Sequence, residues 1–203
     1  MILQKRIAEI LKQSYVTRTS GVLDVSAKTE LFRELAANLG GVFSISHDQG
    51  NTLTIFKIVI PYKEWEIILT ESDTRPLKFE VGFESLHDFE LVIGVEDFFD
   101  KIMKRLYKTE IEVGDQVFDN RYLIHSNDPV LTGKLLNDKV RSKILKHNLY
   151  NLSYLTDTKR KRSGLISVIS RTIEDKETYL DLVNLHQMLI DKLSELRIIN
   201  KRQ

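Results

Sequence analysis

The sequence predicts an α+β fold, a mainly antiparallel sheet with helices packed on one face. Three observations carry that expectation. Five strand-like stretches between residues 42 and 95 follow one another through short loops, as antiparallel neighbours do. Leu77, Phe79, Val81 and Phe83 alternate with Lys78, Glu80 and Gly82, a period of two that gives the sheet one dry and one wet face. Helical periodicity comes before this run and again after it, so the two kinds of element are largely segregated along the chain.

Taken in order, Leu3, Ile7, Ile10 and Leu11 recur at helical spacing and predict a helix over residues 2–14. In a second helix Ser26 is placed to cap the start and Leu31, Phe32, Leu35 and Leu39 form one stripe. Gly40 and Gly41 end it in left-handed backbone. Strands are predicted over 42–46, over 52–60 with a stop at Pro61, and over 65–70, 77–83 and 89–95. Residues 47–51 and 72–76 are rich in turn formers and read as loops. Glu96, Asp97 and Asp100 lie in the first turn of a helix running to about residue 107, where the helix dipole favours negative charge.

Beyond Gly114-Asp115, read as a turn, residues 121–126 form a strand and Asn127-Asp128-Pro129 caps a helix with proline in its first turn. Helical pattern continues to about His147 with a break near Asn137. Residues 149–155 and 164–173 read as a hairpin around 158–163. Residues 175–198 make the longest helix, with Leu182, Leu185, Leu189, Leu193 and Leu196 along one side. With no evident repeat or linker, residues 1–203 are expected to form a single α+β domain. A subdivision into a strand-rich part, 1–108, and a strand-helix-hairpin-helix part, 109–203, is the alternative.

Composition narrows the function. The 203 residues are 42% hydrophobic and 29% charged, ordinary for a globular chain long enough to bury a core. The absence of cysteine excludes disulfides, thiolate metal sites and cysteine nucleophiles. Charges interrupt the apolar pattern at the N-terminus, which reads as an amphipathic helix and not a signal peptide. No apolar run approaches the ~18 residues of a membrane span. A soluble cytoplasmic protein is the expectation.

Charge is unevenly spread. Between residues 64 and 100, eleven acidic residues stand against Arg75 and Lys78; between 134 and 162, nine basic residues stand against Asp138 and Asp157. The net charge of +1 hides this contrast, which suggests a protein partner or a homo-oligomer held by complementary charged regions. The run Lys159-Arg160-Lys161-Arg162 on a hairpin tip is a candidate anion-binding site for nucleic acid or anionic lipid. Near-neutral overall charge argues against a general nucleic-acid binder.

The segment from Gly114 to Pro129 is the densest in chemistry. Asp115, Asp119, His125 and Asp128 are candidates for divalent-cation binding or acid–base work in a metal-dependent hydrolase. The competing reading gives the same residues to turns and caps, with Phe118, Tyr122 and Ile124 anchoring the segment in the core. His47-Asp48 and His87-Asp88 are polar loop pairs whose spacing matches no zinc pattern. His186, in the middle of the last helix, reads as a boundary residue. No phosphate-binding glycine loop, nucleophile elbow or His-Glu-x-x-His is present, and no cofactor is expected.

Gly114-Asp115, Phe118-Asp119, Tyr122, Ile124, Ser126 and Asp128, followed by Leu135-Leu136, resemble a pattern in a family of bacterial proteins of unknown function. There a Gly-Asp, a Phe-Asp, an aromatic and aliphatic strand, a Ser-x-Asp turn and a helix with paired leucines follow one another. The resemblance spans about residues 110 to 196. It implies an architecture and a bacterial source, and it transfers no catalytic residue. The leading expectation is therefore a non-enzymatic protein-interaction or self-association module. The alternatives are the hydrolase and the Lys159–Arg162 anion binder.

Overall fold

A computed structural model describes residues 24–47, 53–72, 75–85, 87–96, 98 and 109–200. Its elements are α1 (Val25–Leu39), β1 (Val42–His47), β2 (Thr54–Tyr62), β3 (Trp65–Ser72), β4 (Leu77–Glu84), β5 (Leu91–Gly94) and β6 (Thr109–Glu110). They continue with α2 (Gln116–Asp119), β7 (Leu123–Ser126), α3 (Pro129–Leu135), α4 (Asp138–His147), β8 (Asn151–Asp157), β9 (Arg162–Ile169) and α5 (Lys176–Glu195). The helix expected over 2–14 and most of the one expected over 96–107 lie outside the described residues.

The strands form one nine-stranded sheet in the order β1-β2-β3-β4-β9-β8-β5-β7-β6, and every pairing is antiparallel. The α+β class is as the sequence predicts. Strands from both sides of residue 109 share this sheet, because the β8–β9 hairpin lies between β4 and β5.

The period of two in β4 sorts its side chains as expected. Leu77, Phe79, Val81 and Phe83 are buried, while Gly82 and Glu84 are exposed. With Phe56, Ile58 and Ile60 of β2 and Ile67 and Leu69 of β3, they form the floor of the main core. Phe32 and Leu35 of α1 and Tyr179, Leu182 and Leu189 of α5 close it. Dispersion and apolar burial across this layer hold the described helices to the sheet. A smaller cluster of Val92, Phe98, Tyr150, Leu155 and Val168 is separate from it.

Local chemistry sets the boundaries. α1 begins two residues earlier than a Ser26 cap would place it. The Asp24 carboxylate accepts the N–H groups of Ser26 at 2.9 Å and Ala27 at 3.1 Å, and a carboxylate is the stronger acceptor for those unpaired donors. Gly40 ends the helix at φ 61°, as expected. β2 does not stop at Pro61 but runs through it to Tyr62. Pairing with β1 ends at Val59 opposite Val42, so Pro61 lies where β2 has only β3 beside it and its missing N–H costs no ladder bond.

One ionic contact is buried inside the apolar layer. The Lys28 ammonium on α1 lies 2.9 Å from the Glu71 carboxylate on β3, and donates to the Tyr179 hydroxyl at 2.5 Å and to the Ile173 carbonyl at 2.9 Å. The Tyr179 hydroxyl donates in turn to Glu71. Each polar atom in this group has partners, the condition under which buried charge is tolerated.

Two glycines give opposite expectations. A Cβ on Gly41 would sit 2.8 Å from the Val59 carbonyl oxygen, a backbone atom that cannot move aside cheaply, whereas one on Gly133 in α3 would meet nothing within 4 Å. Gly41→Ala should lower the unfolding free energy by about 1–3 kcal/mol. Gly133→Ala should raise it by up to about 1 kcal/mol through helix propensity. Urea titration of both variants checks the pair.

Candidate functional site

The 114–129 segment is built by its own polar side chains. Gly114 takes φ 77°, a left-handed backbone that suits glycine. The chain then makes a single helical turn, α2, where the sequence suggested only a turn. Asp115 caps that turn, accepting the Phe118 N–H at 3.2 Å, and its second oxygen lies 3.0 Å from Nε of Arg141. The Arg141 guanidinium and then the Phe118 N–H hold its carboxyl below the usual carboxylate range. Asp119 folds back on the entry to the turn, its two oxygens accepting the N–H groups of Val113 at 3.1 Å and Gly114 at 2.9 Å. Asp128 caps α3, accepting the Leu131 N–H at 2.9 Å, with Pro129 in the first turn as expected.

The intervening residues bind the segment to the rest of the sheet. Phe118 and Tyr122 are buried with ring centroids 5.0 Å apart, and burial pushes the Tyr122 hydroxyl up to about 12. The Ser126 hydroxyl donates to the Glu90 carbonyl at 2.8 Å and accepts from Thr132 at 2.8 Å. Asn127 accepts from the Glu90 N–H at 2.8 Å and donates to the Asp88 carbonyl at 2.9 Å. His125 lies buried on β7, opposite Val92 and Glu110, and strand alternation turns it away from the face that Ile124 presents to the main core. The three carboxylates thus serve turns and caps. Among the described residues no three of His, Asp and Glu are grouped to hold a metal ion.

A cleft of about 700 Å³ opens beside this segment, lined by Glu96, Asp119, Arg121, Asn148, Tyr150 and Ser170 among others. Arg121 donates to the Asn148 side-chain oxygen at 2.6 Å. The remaining expected polar sites lie elsewhere. His47 ends β1 and is exposed, and Asp48 lies outside the described residues. His87 and Asp88 are exposed in the loop before β5. Lys159, Arg160, Lys161 and Arg162 are all exposed at the β8–β9 tip, where Lys161 takes φ 53° and Arg160 reaches Asp157 at 3.8 Å.

Two histidine environments go beyond the sequence reading. His147, in the last turn of α4, is buried, and its Nε2 lies 2.7 Å from the Asp181 carboxylate of α5. Lys143 and Lys146 bind the same carboxylate. Burial works against the Asp181 charge, but the two ammonium groups and the imidazole outweigh it and hold its pKa well below normal. Burial lowers the His147 pKa, with Asp181 opposing. His186 is not a boundary residue. It is fully buried, stacked on Phe79 at 4.1 Å, with Nδ1 2.7 Å from the Leu182 carbonyl and Nε2 2.7 Å from the Ser167 hydroxyl. Its helical neighbours Leu182 and Leu189 carried that signal in the sequence. Burial drives its pKa down to about 4, so it is neutral in the folded chain.

No protein-family model matches this chain, and no curated protein matches it in sequence. In fold the chain is similar to the crystal structure of the mycobacterial trehalose monomycolate transport factor A, TtfA. The TM-score is 0.53 over 86% of this chain and 97% of that one, at 7% identity. Identity that low makes the likeness one of fold alone.

Two outcomes follow from this polar chemistry. Asp119→Ala and Asp128→Ala should each cost about 1–2 kcal/mol of unfolding free energy in urea titrations, since each strips acceptors from backbone donors. His186 takes a proton more readily unfolded than folded, so its share of stability is complete above about pH 6.5 and is lost as pH falls towards about 4. That share is about 3 kcal/mol. His147 acts in the same direction. Unfolding free energies measured across this window should fall steeply for the native chain and less steeply for His186→Gln.

Proposed function

We propose that this protein is a non-enzymatic self-association module whose β1 strand pairs antiparallel with β1 of a second copy. The observation that carries the reading is the contrast between the two edges of the sheet. One edge is β6, two residues long and ending in Glu110, a short and charged edge of the kind that resists further pairing. The other is β1, six residues with no Asp, Glu, Lys, Arg or Pro, on which Val42 is 69% and Ile45 41% exposed. Among the described residues β1 pairs only with β2. Antiparallel pairing about a two-fold axis lets a strand serve as its own partner, and β1 has no Asp, Glu, Lys or Arg to repel its copy across that axis.

The charge contrast in the sequence supports the reading less than it first suggests. Arg141 lies against Asp115, and Lys143 and Lys146 against Asp181, so part of the basic region is neutralised within the chain. The hydrolase reading has no ligand set among the described residues. The bacterial origin implied by the 114–129 pattern, and a cytoplasmic location, belong to the same proposal.

Sedimentation equilibrium over the micromolar range tests it. The native chain should show a monomer–dimer equilibrium that Val42→Lys and Ile45→Lys each shift to monomer, with unfolding still cooperative. A chain monomeric throughout, or lysine variants that dimerise as well as the native chain, would overturn the reading.

A further inference from the structure

The sequence places four adjacent cations at the β8–β9 tip, and the structure adds a fifth from a distant part of the chain. The turn after α5 packs against the same end of the sheet. The Ser85 hydroxyl donates to the Ile198 carbonyl at 2.7 Å, and the Ser85 N–H donates to the Lys161 carbonyl at 3.1 Å. The Asn200 N–H donates to the Glu84 carbonyl at 3.3 Å, and Glu84 is the cross-strand partner of Arg162. These contacts bring Arg197, exposed at φ 57°, to the end of the molecule that carries Lys159, Arg160, Lys161 and Arg162. In the sequence Lys201 and Arg202 follow shortly after.

The acidic groups nearby are Glu84, Asp88, Asp157 and Glu195, the last paired with Lys192 at 2.7 Å. Asp157 is engaged with its own turn, accepting the Arg160 N–H at 3.2 Å, and Glu84 and Asp157 belong to strand ends behind the turn. Five exposed cations therefore gather at this end beside four carboxylates, of which Glu195 is held by Lys192. Clusters of four to eight Lys and Arg at one surface are what anionic headgroups attract. Nucleic-acid sites add stacking aromatics or base-reading groups. The nearby Tyr154 instead turns inward and donates to Ser163 at 2.7 Å. An exposed hairpin tip also suits contact with a surface better than the tracking of a strand through a groove.

We propose that this end of the molecule, formed by Lys159, Arg160, Lys161, Arg162 and Arg197, docks on the headgroups of an anionic lipid bilayer. The inference stands apart from self-association through β1, which uses other residues, and a monomer serves equally well in its test.

Co-sedimentation of the full chain with phosphatidylglycerol–phosphatidylcholine vesicles reads it directly. The native chain should bind these vesicles at low ionic strength, release at high salt, and ignore pure phosphatidylcholine. Arg197→Ser should weaken partitioning about fivefold, and replacing Lys159, Arg160, Lys161 and Arg162 together by Ser should weaken it several hundredfold. All five positions are exposed, and thermal melting confirms that each variant folds. A control that removes Arg33 and Lys139, exposed on α1 and α4, should leave binding within about twofold. Absence of binding to the anionic vesicles, an equal loss in the control, or retention of a DNA duplex with vesicles ignored would each overturn the proposal.

Discussion

The rest of the fold depends on the pairing of β4 with β9. Eight consecutive residue pairs, from Leu77 opposite Ile169 to Glu84 opposite Arg162, join the strand-rich first half to the last hairpin. β4 and β5 are neighbours in sequence, yet β9 and β8 stand between them in the sheet. The connection over residues 85–90 must therefore cross three inter-strand gaps, about 14 Å. Six extended residues reach about 20 Å, so little slack remains. Hydrogen bonds hold this crossing over the hairpin it encloses: Ser85 to Lys161 and Ile198, and Thr156 to the Phe89 carbonyl at 2.8 Å. Pairings this distant in sequence carry a large loop-closure cost and form late in folding.

Seen from that crossing, the polar residues of the 114–129 segment have a common task. Ser126 and Asn127 bind the backbone of Glu90 and Asp88 at the far end of the same connection. Asp115 and Asp128 saturate N–H groups that short helical turns cannot satisfy internally, and Asp119 takes those of Val113 and Gly114 in the chain leading into α2. A dense mixture of carboxylates, hydroxyls and amides is what a chain needs to make three sharp changes of direction within sixteen residues and still bury Phe118, Tyr122 and Ile124.

Much of this was legible in the sequence, and the exceptions have physical causes. The alternation in β4, the left-handed stop at Gly40 and the Asp128-Pro129 cap are local signals, and local backbone chemistry decided them. Strand order was not legible, because nothing near residue 80 encodes a partner near residue 165. The single turn of α2 is too short to show periodicity. Asp24 and Ser26 are both good caps two residues apart, and the Asp24 carboxylate takes the role by accepting the Ser26 and Ala27 N–H groups. Lys28, His147 and His186 each fall on the apolar face of a helix, with Phe32, Ile144 and Leu182 four or three residues away. Lysine and histidine are polar side chains, and their helical spacing places these three towards the interior.

The Lys28–Glu71–Tyr179 contact bears on how α1 finds its seat. Apolar side chains alone let a helix roll on a sheet at small cost, since many rotations bury similar area. An ammonium group in that layer removes the tolerance. Turning α1 by one residue swings Lys28 through about 100° and away from the Glu71 carboxylate, which keeps the Tyr179 hydroxyl but loses its counter-charge in a buried layer. Arrangements in which α1 is mis-seated leave that charge unpaired, so the Lys28–Glu71 pair with Tyr179 penalises helix rotations that apolar contacts alone would tolerate.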